Sequence, residues 1–94
     1  MNENIFLKKT PAEIDMLIAG RIRAIRRRRK ISQRQLSERS GVSYGSVKRF
    51  EQSGEISLIS LTRIATALGI EGGLEDLFAD VPYESIEEII REEG

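Results

Sequence analysis

Eleven cationic side chains crowd the stretch between residues 21 and 49: Arg21, Arg23, Arg26, Arg27, Arg28, Arg29, Lys30, Arg34, Arg39, Lys48 and Arg49. One acid, Glu38, stands among them. Such a density of guanidinium and ammonium groups suits the neutralisation of nucleic-acid phosphates, with release of their counterions. The opposite charge gathers at the other end, where residues 71–94 hold nine acids and a single cation, Arg91. The totals cancel, 15 basic against 15 acidic residues, so a net charge of zero conceals a cation followed by an anion. That asymmetry points to nucleic-acid contact with an acidic tail. Other chemistries are poorly supplied. The chain has no histidine and no cysteine, so metal ligation and acid–base catalysis near neutral pH lack their commonest side chains. The carboxylates of the tail accompany no nucleophile–base arrangement. No enzyme, no metal site and no cofactor is expected.

The basic residues need a frame, and the pattern of caps and apolar positions predicts helices throughout. A chain of 94 residues makes one domain with a modest core, which dimerisation would help to stabilise. Thr10, Pro11 and Glu13 give a cap, a proline at the first helical position and a capping-box acid. Ile14, Leu17, Ile18, Ile22 and Ile25 follow at helical spacing, so this helix should run to about Arg29. The stretch Ile31–Glu51 reads as two short helices joined by a tight turn. Ser32 and Gln35 form a capping box, Leu36 faces inward, and Gly41 supplies the positive φ that ends the helix. Val42 is apolar within the turn. Ser43 caps the second helix, which carries Val47 and Phe50 inward.

Those offsets resemble the helix-turn-helix of the phage-repressor (Cro/XRE-like) family of bacterial transcriptional regulators. The matching residues are Gln33, Leu36, Gly41, Val42, Ser46, Val47 and Glu51, within a resemblance that extends from about Arg21 to Ile70. It implies an all-α, five-helix, lambda-repressor-like DNA-binding domain over 11–79. A flexible segment, 1–10, would precede it and a short helical acidic tail, 80–94, would follow. It makes Tyr44–Glu51 the helix that enters the major groove of double-stranded DNA. Residues at the start of that helix would then face base edges, namely Ser43, Tyr44, Gly45 and Ser46. Arg49, a turn further on, suits a bidentate contact to guanine. Arg27, Arg28, Arg34 and Lys48 are expected on phosphates, as is Gln33, which in the family also braces the recognition helix. Glu51 sits where an acid meets the unfavourable end of the helix dipole and therefore needs a cation. In the family, the arginine matching Arg26 pairs with the acid matching Glu51, so these two are assigned to structure and not to DNA. The sequence departs from the family after Glu51: Ser53 stands where a glycine is usual, Gly54 comes next, and a proline common before the following cap is missing.

Beyond that turn, Ser57 caps a helix with Leu58, Leu61, Ile64, Ala65 and Leu68 on its apolar face, ended by Gly69. Gly72 and Gly73 read as a flexible joint. Leu74, Leu77 and Phe78 fit a short fifth helix, a region that often forms the dimer contact in the resembled family. Pro82 breaks the chain, and Ser85 with Glu88 forms a capping box for a last helix carrying Ile86, Ile89 and Ile90 on one face. A helix that short cannot persist alone in water, so the stripe requires a dimer mate, the chain's own body or another protein. Two functions fit. One is a homodimeric, sequence-specific repressor. The other is an antitoxin whose tail holds a toxin while its front half represses its own promoter; FEQSGEISL followed by a short acidic, proline-broken tail resembles antitoxins that accompany kinase-like toxins. No run is long and apolar enough for a membrane span, and the start MNENIFLKKTP has no signal-peptide core. A cytoplasmic protein is expected.

Overall fold

A computed structural model describes residues 8–93. Among them are six helices: α1 Pro11–Arg28, α2 Gln33–Ser40, α3 Tyr44–Ser53, α4 Leu58–Ala67, α5 Gly72–Glu75 and α6 Ile86–Glu93. The described residues contain no strand, so the fold they form is all-helical, as expected. The expectations placed on Met1–Leu7 lie outside the described residues.

Local chemistry accounts for most of the helix boundaries. Thr10 and Ser32 each accept a hydrogen bond from a backbone N–H three residues on, while Glu13 and Gln35 reach back to the cap, closing two reciprocal boxes. Ser43 and Ser57 cap α3 and α4 through Ser46 N–H and Ser60 N–H. Two helices end in Schellman geometry. At α1, Lys30 N–H donates to Arg27 O and Ile31 N–H to Arg26 O; at α4, Gly69 N–H donates to Thr66 O and Ile70 N–H to Ala65 O. The left-handed position is a glycine in the second case (φ 71°) but a lysine in the first (Lys30, φ 57°).

The core forms where α1 crosses α3 and where α2 packs on α3 and α4. It is built from Ala19, Ile22, Ile31, Leu36, Val42, Val47, Phe50, Ile64 and Leu68, with Ile18, Ile25, Ile56, Leu61 and Ile70 at its edge. Gly54 closes the α1–α3 crossing. It has φ 80°, and a Cβ there would lie 2.9 Å from the carbonyl carbon of Asp15. The glycine that stands one place later than the family pattern thus serves both as helix terminator and as the point of closest backbone approach.

Several apolar positions behave differently from the sequence expectation. Ile14 and Leu17 stay exposed, because the buried face of α1 is set by Ala19, Ile22 and Arg26. Leu58 is 70% exposed, since α4 turns only Ile64 and Ala65 fully inward, with Leu68 buried just past its end. Helix α1 stops at Arg28. Gly72 and Gly73 are not a joint but the first turn of α5, which ends at Glu75 and leaves Leu77 and Phe78 outside it. Phe78 adopts φ 64° and is 80% exposed. At α6, Ser85 Oγ accepts from Glu88 N–H, but the Glu88 carboxylate accepts from Glu84 N–H at 2.6 Å. The reciprocal bond is therefore displaced by one residue from the expected box. The Tyr83 hydroxyl donates to the Glu92 carboxylate, tying the extended segment to its own helix.

Replacing Gly54 by Ala adds left-handed strain and a clash with backbone that cannot swing away. It is expected to cost about 2 kcal/mol or more. Gly41→Ala, with the same sign of φ (74°) but open space around its Cβ, should cost about 1 kcal/mol. Urea denaturation of the two variants checks the order.

Candidate nucleic-acid interface

Gly41 and four serines set the turn between α2 and α3 and the start of α3. Gly41 takes φ 74°. Ser37 Oγ donates to Val42 O at 2.6 Å, Val42 N–H donates to Ser40 Oγ at 3.1 Å, and Ser43 Oγ donates to Ser46 Oγ at 2.8 Å. Helix α3 then buries Val47, Phe50 and Glu51 and leaves Gly45, Ser46, Lys48 and Arg49 in solvent.

Behind this exposed face lies an ionic knot. Arg26 Nε donates to Glu51 Oε2 at 2.7 Å, and Nη2 donates to Oε1 at 2.8 Å. The remaining guanidinium nitrogen, Nη1, donates to Ile31 O at 2.8 Å. Gln33 Nε2 adds a third donor to the carboxylate, 3.0 Å from Oε1. Arg26 and Glu51 retain only 8% and 6% of their accessible surface. Burial pushes the Glu51 carboxyl up, but hydrogen bonds from Arg26 and Gln33 and the charges of Arg26 and Arg23 outweigh it, so the group lies below the ordinary carboxylate range. The hydrogen bond to Glu51 raises Arg26 against the opposing effect of its own burial. The fork-to-fork geometry satisfies both ions where little solvent reaches them.

Six of the candidates line two shallow hollows, while Ser43, Gly45, Lys48 and Arg28 line neither. One is lined by Arg23, Arg26, Arg27, Ser32, Gln33, Arg34 and Tyr44. Gln33, Arg27, Arg34 and Tyr44 are thus brought together where α1, α2 and α3 meet. The other is lined by Ser46, Arg49, Glu55, Ile56, Ser57 and Ser60, beside the start of α4. Arg28 projects from the end of α1 as an exposed side chain. Lys48 reaches the Tyr44 ring, with Nζ 5.3 Å from its centroid, and Arg34 lies over the same ring at 4.3 Å. No atom comes within 4 Å of a Cβ built on Gly45, so packing inside the chain does not demand glycine there.

Arg23 is a participant that the sequence reasoning passed over. Its Nε is 3.8 Å from Glu51 Oε1 while the side chain stays 46% exposed, so it bridges the knot and the hollow. The signal was present, since Arg23, Arg26 and Arg27 share one helix face by i, i+3 and i, i+4 spacing. The grouping of Ser57 and Ser60 with Arg49 was not readable, because it depends on the turn at Gly54. Leu74 packs at the edge of an apolar groove with Ile18, Ile22, Ile25, Leu61 and Ile70. Leu77, Phe78, Ile86 and Ile90 are exposed and Ile89 is half-buried. Among the described residues no cluster of three potential metal ligands occurs, and no described helix is long and apolar enough to cross a membrane.

A family model described as helix-turn-helix matches residues 22–73, more than half of the chain. Comparison with curated proteins and with solved structures gave no significant match.

Removing one partner of a buried ion pair strands the other. Arg26→Met or Glu51→Leu alone should therefore cost about 3–5 kcal/mol, and the double replacement should recover much of that loss. The Glu51 carboxyl is depressed in the folded state, so its stabilisation is complete above the unfolded carboxyl pKa of about 4.3 and is lost as pH falls through the lower folded value. The melting-temperature gap between the native chain and Glu51→Gln should be widest near neutral pH, persist through the ordinary carboxyl range, and close only as pH falls through the depressed folded value of Glu51. Circular-dichroism melts across that range check both statements.

Proposed function

Because the chain belongs to the Cro/XRE-like helix-turn-helix family, and so is a DNA-binding transcriptional regulator, we propose that it is a cytoplasmic, homodimeric repressor reading a specific duplex site. The observation that supports this most is the exposed face of α3, with Ser46, Lys48 and Arg49 opposite the buried Val47 and Phe50. In this reading, α3 lies in the major groove with its start toward the bases. Arg49 takes guanine O6 and N7, and Ser43 and Ser46 meet neighbouring base edges. Gly45 lets the α3 backbone approach the DNA. Gln33, Arg27, Arg28, Arg34 and Lys48 hold phosphates on either side.

One such helix covers too few base pairs for useful selectivity, whereas two separated by about 34 Å read a pseudo-palindrome. The groove edged by Leu74, with Leu77 and Phe78 exposed beside it in sequence, supports self-association on that side. A second reading rests on α6. Its Ile86 and Ile90 are 74% and 61% exposed, which supports a tail made for another protein and hence an antitoxin that also represses its own promoter.

Selection from random duplexes should yield a twofold-symmetric site. On that site, Arg49→Ala should cost about 1–3 kcal/mol and relax choice at one base pair of each half-site. Arg28→Ala should weaken every sequence alike and reduce the slope of log K against log salt by about 0.9. Arg49→Ala with unchanged affinity and preference would remove Arg49 as the reading residue. Sedimentation of the chain with and without residues 81–94 separates the two readings. A tail that serves the dimer, when deleted, weakens self-association and DNA binding together. A tail that serves a toxin spares both and abolishes only the complex with the product of an adjacent toxin gene.

A further inference from the structure

Tyr44 is the first residue of α3, the place from which a side chain would be expected to press on a base. Its surroundings argue for a different task. The guanidinium of Arg34, from the second position of α2, lies 4.3 Å from the ring centroid. The ammonium of Lys48, one turn along α3, lies 5.3 Å from the same centroid. Both distances fall inside the range in which a cation is held by the ring quadrupole. The ring is half-buried, and the space that a thymine methyl would need over the face near Arg34 is already taken by a cation. We infer that Tyr44 is a positioning residue: its ring holds Arg34 and Lys48 as a pre-ordered pair of phosphate-binding cations, and it reads no base.

The physical advantage lies in the unbound state. A free arginine or lysine on a surface samples many rotamers, and contact with a phosphate freezes them at a cost to affinity. A ring that confines both cations beforehand removes part of that cost without adding a contact to DNA. It also joins α2 to α3 at their leading ends. The two helices therefore present their cations to the backbone as one unit, beside the hollow that Gln33 and Arg27 share with Tyr44.

This inference rests on the proposed DNA-binding face, and its test keeps the two apart. The probes are a duplex selected from a random pool and an unrelated duplex of equal length. Tyr44→Phe keeps the ring and should bind both as the native chain does. Tyr44→Leu removes the ring and should weaken both by roughly 5-fold, the worth of about 1 kcal/mol of cation–π confinement. The salt slope and the ranking of sequences should stay unchanged, because no charge is lost. Arg34→Ala, by contrast, should flatten the slope by about 0.9. In the Arg34→Ala, Lys48→Ala background the Tyr44→Leu penalty should vanish. In the free protein, the side-chain protons of Arg34 should show ring-current shifts that persist in Tyr44→Phe and disappear in Tyr44→Leu. Loss of affinity in Tyr44→Phe equal to that in Tyr44→Leu would give the role to the hydroxyl and overturn the inference. A change of preference at one base pair in Tyr44→Leu would make Tyr44 a reader and overturn it as well. A native chain that selects no sequence would instead sink the DNA-reading proposal, with the ring-current result still deciding whether the ring holds its cations.

Discussion

The buried exchange of hydrogen bonds between Arg26 and Glu51 is the constraint on which the rest of the domain depends. It joins the last turns of α1 to the later part of α3, two segments that are far apart in sequence. Through Nη1 and the Ile31 carbonyl it also fixes where the chain leaves α1, and through Gln33 it fixes where α2 begins. Three of the four helices that build the core are therefore registered by one carboxylate and one guanidinium. An ion pair of this burial is weak as a source of net stability. Its value is directional, because an apolar contact of equal size would tolerate several orientations of α3. An Arg–Glu pair also keeps its charges across the neutral range, so the frame does not respond to moderate changes of pH.

Charge on this chain is sorted by role. The cations that belong to structure are buried or bridge inward, as Arg26 and Arg23 do. Many of those that remain in solvent lie at the end of α1, at the start of α2 and along α3. The acids of the tail are kept on a separate helix whose bonds run mostly within itself, from Tyr83 to Glu92 and from Glu84 to Glu88. Among the described residues, the acids of this tail form no ion pair with the cations around α2 and α3.

Much of this was legible in the sequence, and for identifiable reasons. The boxes at Thr10 and Ser32, the caps at Ser43 and Ser57 and the turn at Gly41 are local chemistry, decided within four residues. The inward residues Leu36, Val47, Phe50 and Ile64 follow from periodicity. What could not be read was set by tertiary geometry. Ile14, Leu17 and Leu58 have the right spacing, but no described element covers them. The last turns before Phe78 were misjudged because α5 unwinds after Glu75, and nothing in Leu77 or Phe78 themselves announces it. At the candidate interface, residue types pointed to phosphates and bases. The sharing of one aromatic ring by Arg34 and Lys48 was hidden until α2 and α3 were set side by side.

The left-handed lysine at the end of α1 has a consequence for where this chain can change its length. Lys30 lets Ile31 return its N–H to Arg26 O while Ile31 O receives Arg26 Nη1, so the corner is closed from both sides by the same residue. A residue added inside α1 after Arg23 would rotate Arg26 by about 100° away from its carboxylate, and one added at the corner would open both bonds. The stretch between Asp76 and Ser85 carries no such latch to the body. Insertions, fusions and spacer changes belong there, where the chain can grow without disturbing the register of α1, α2 and α3.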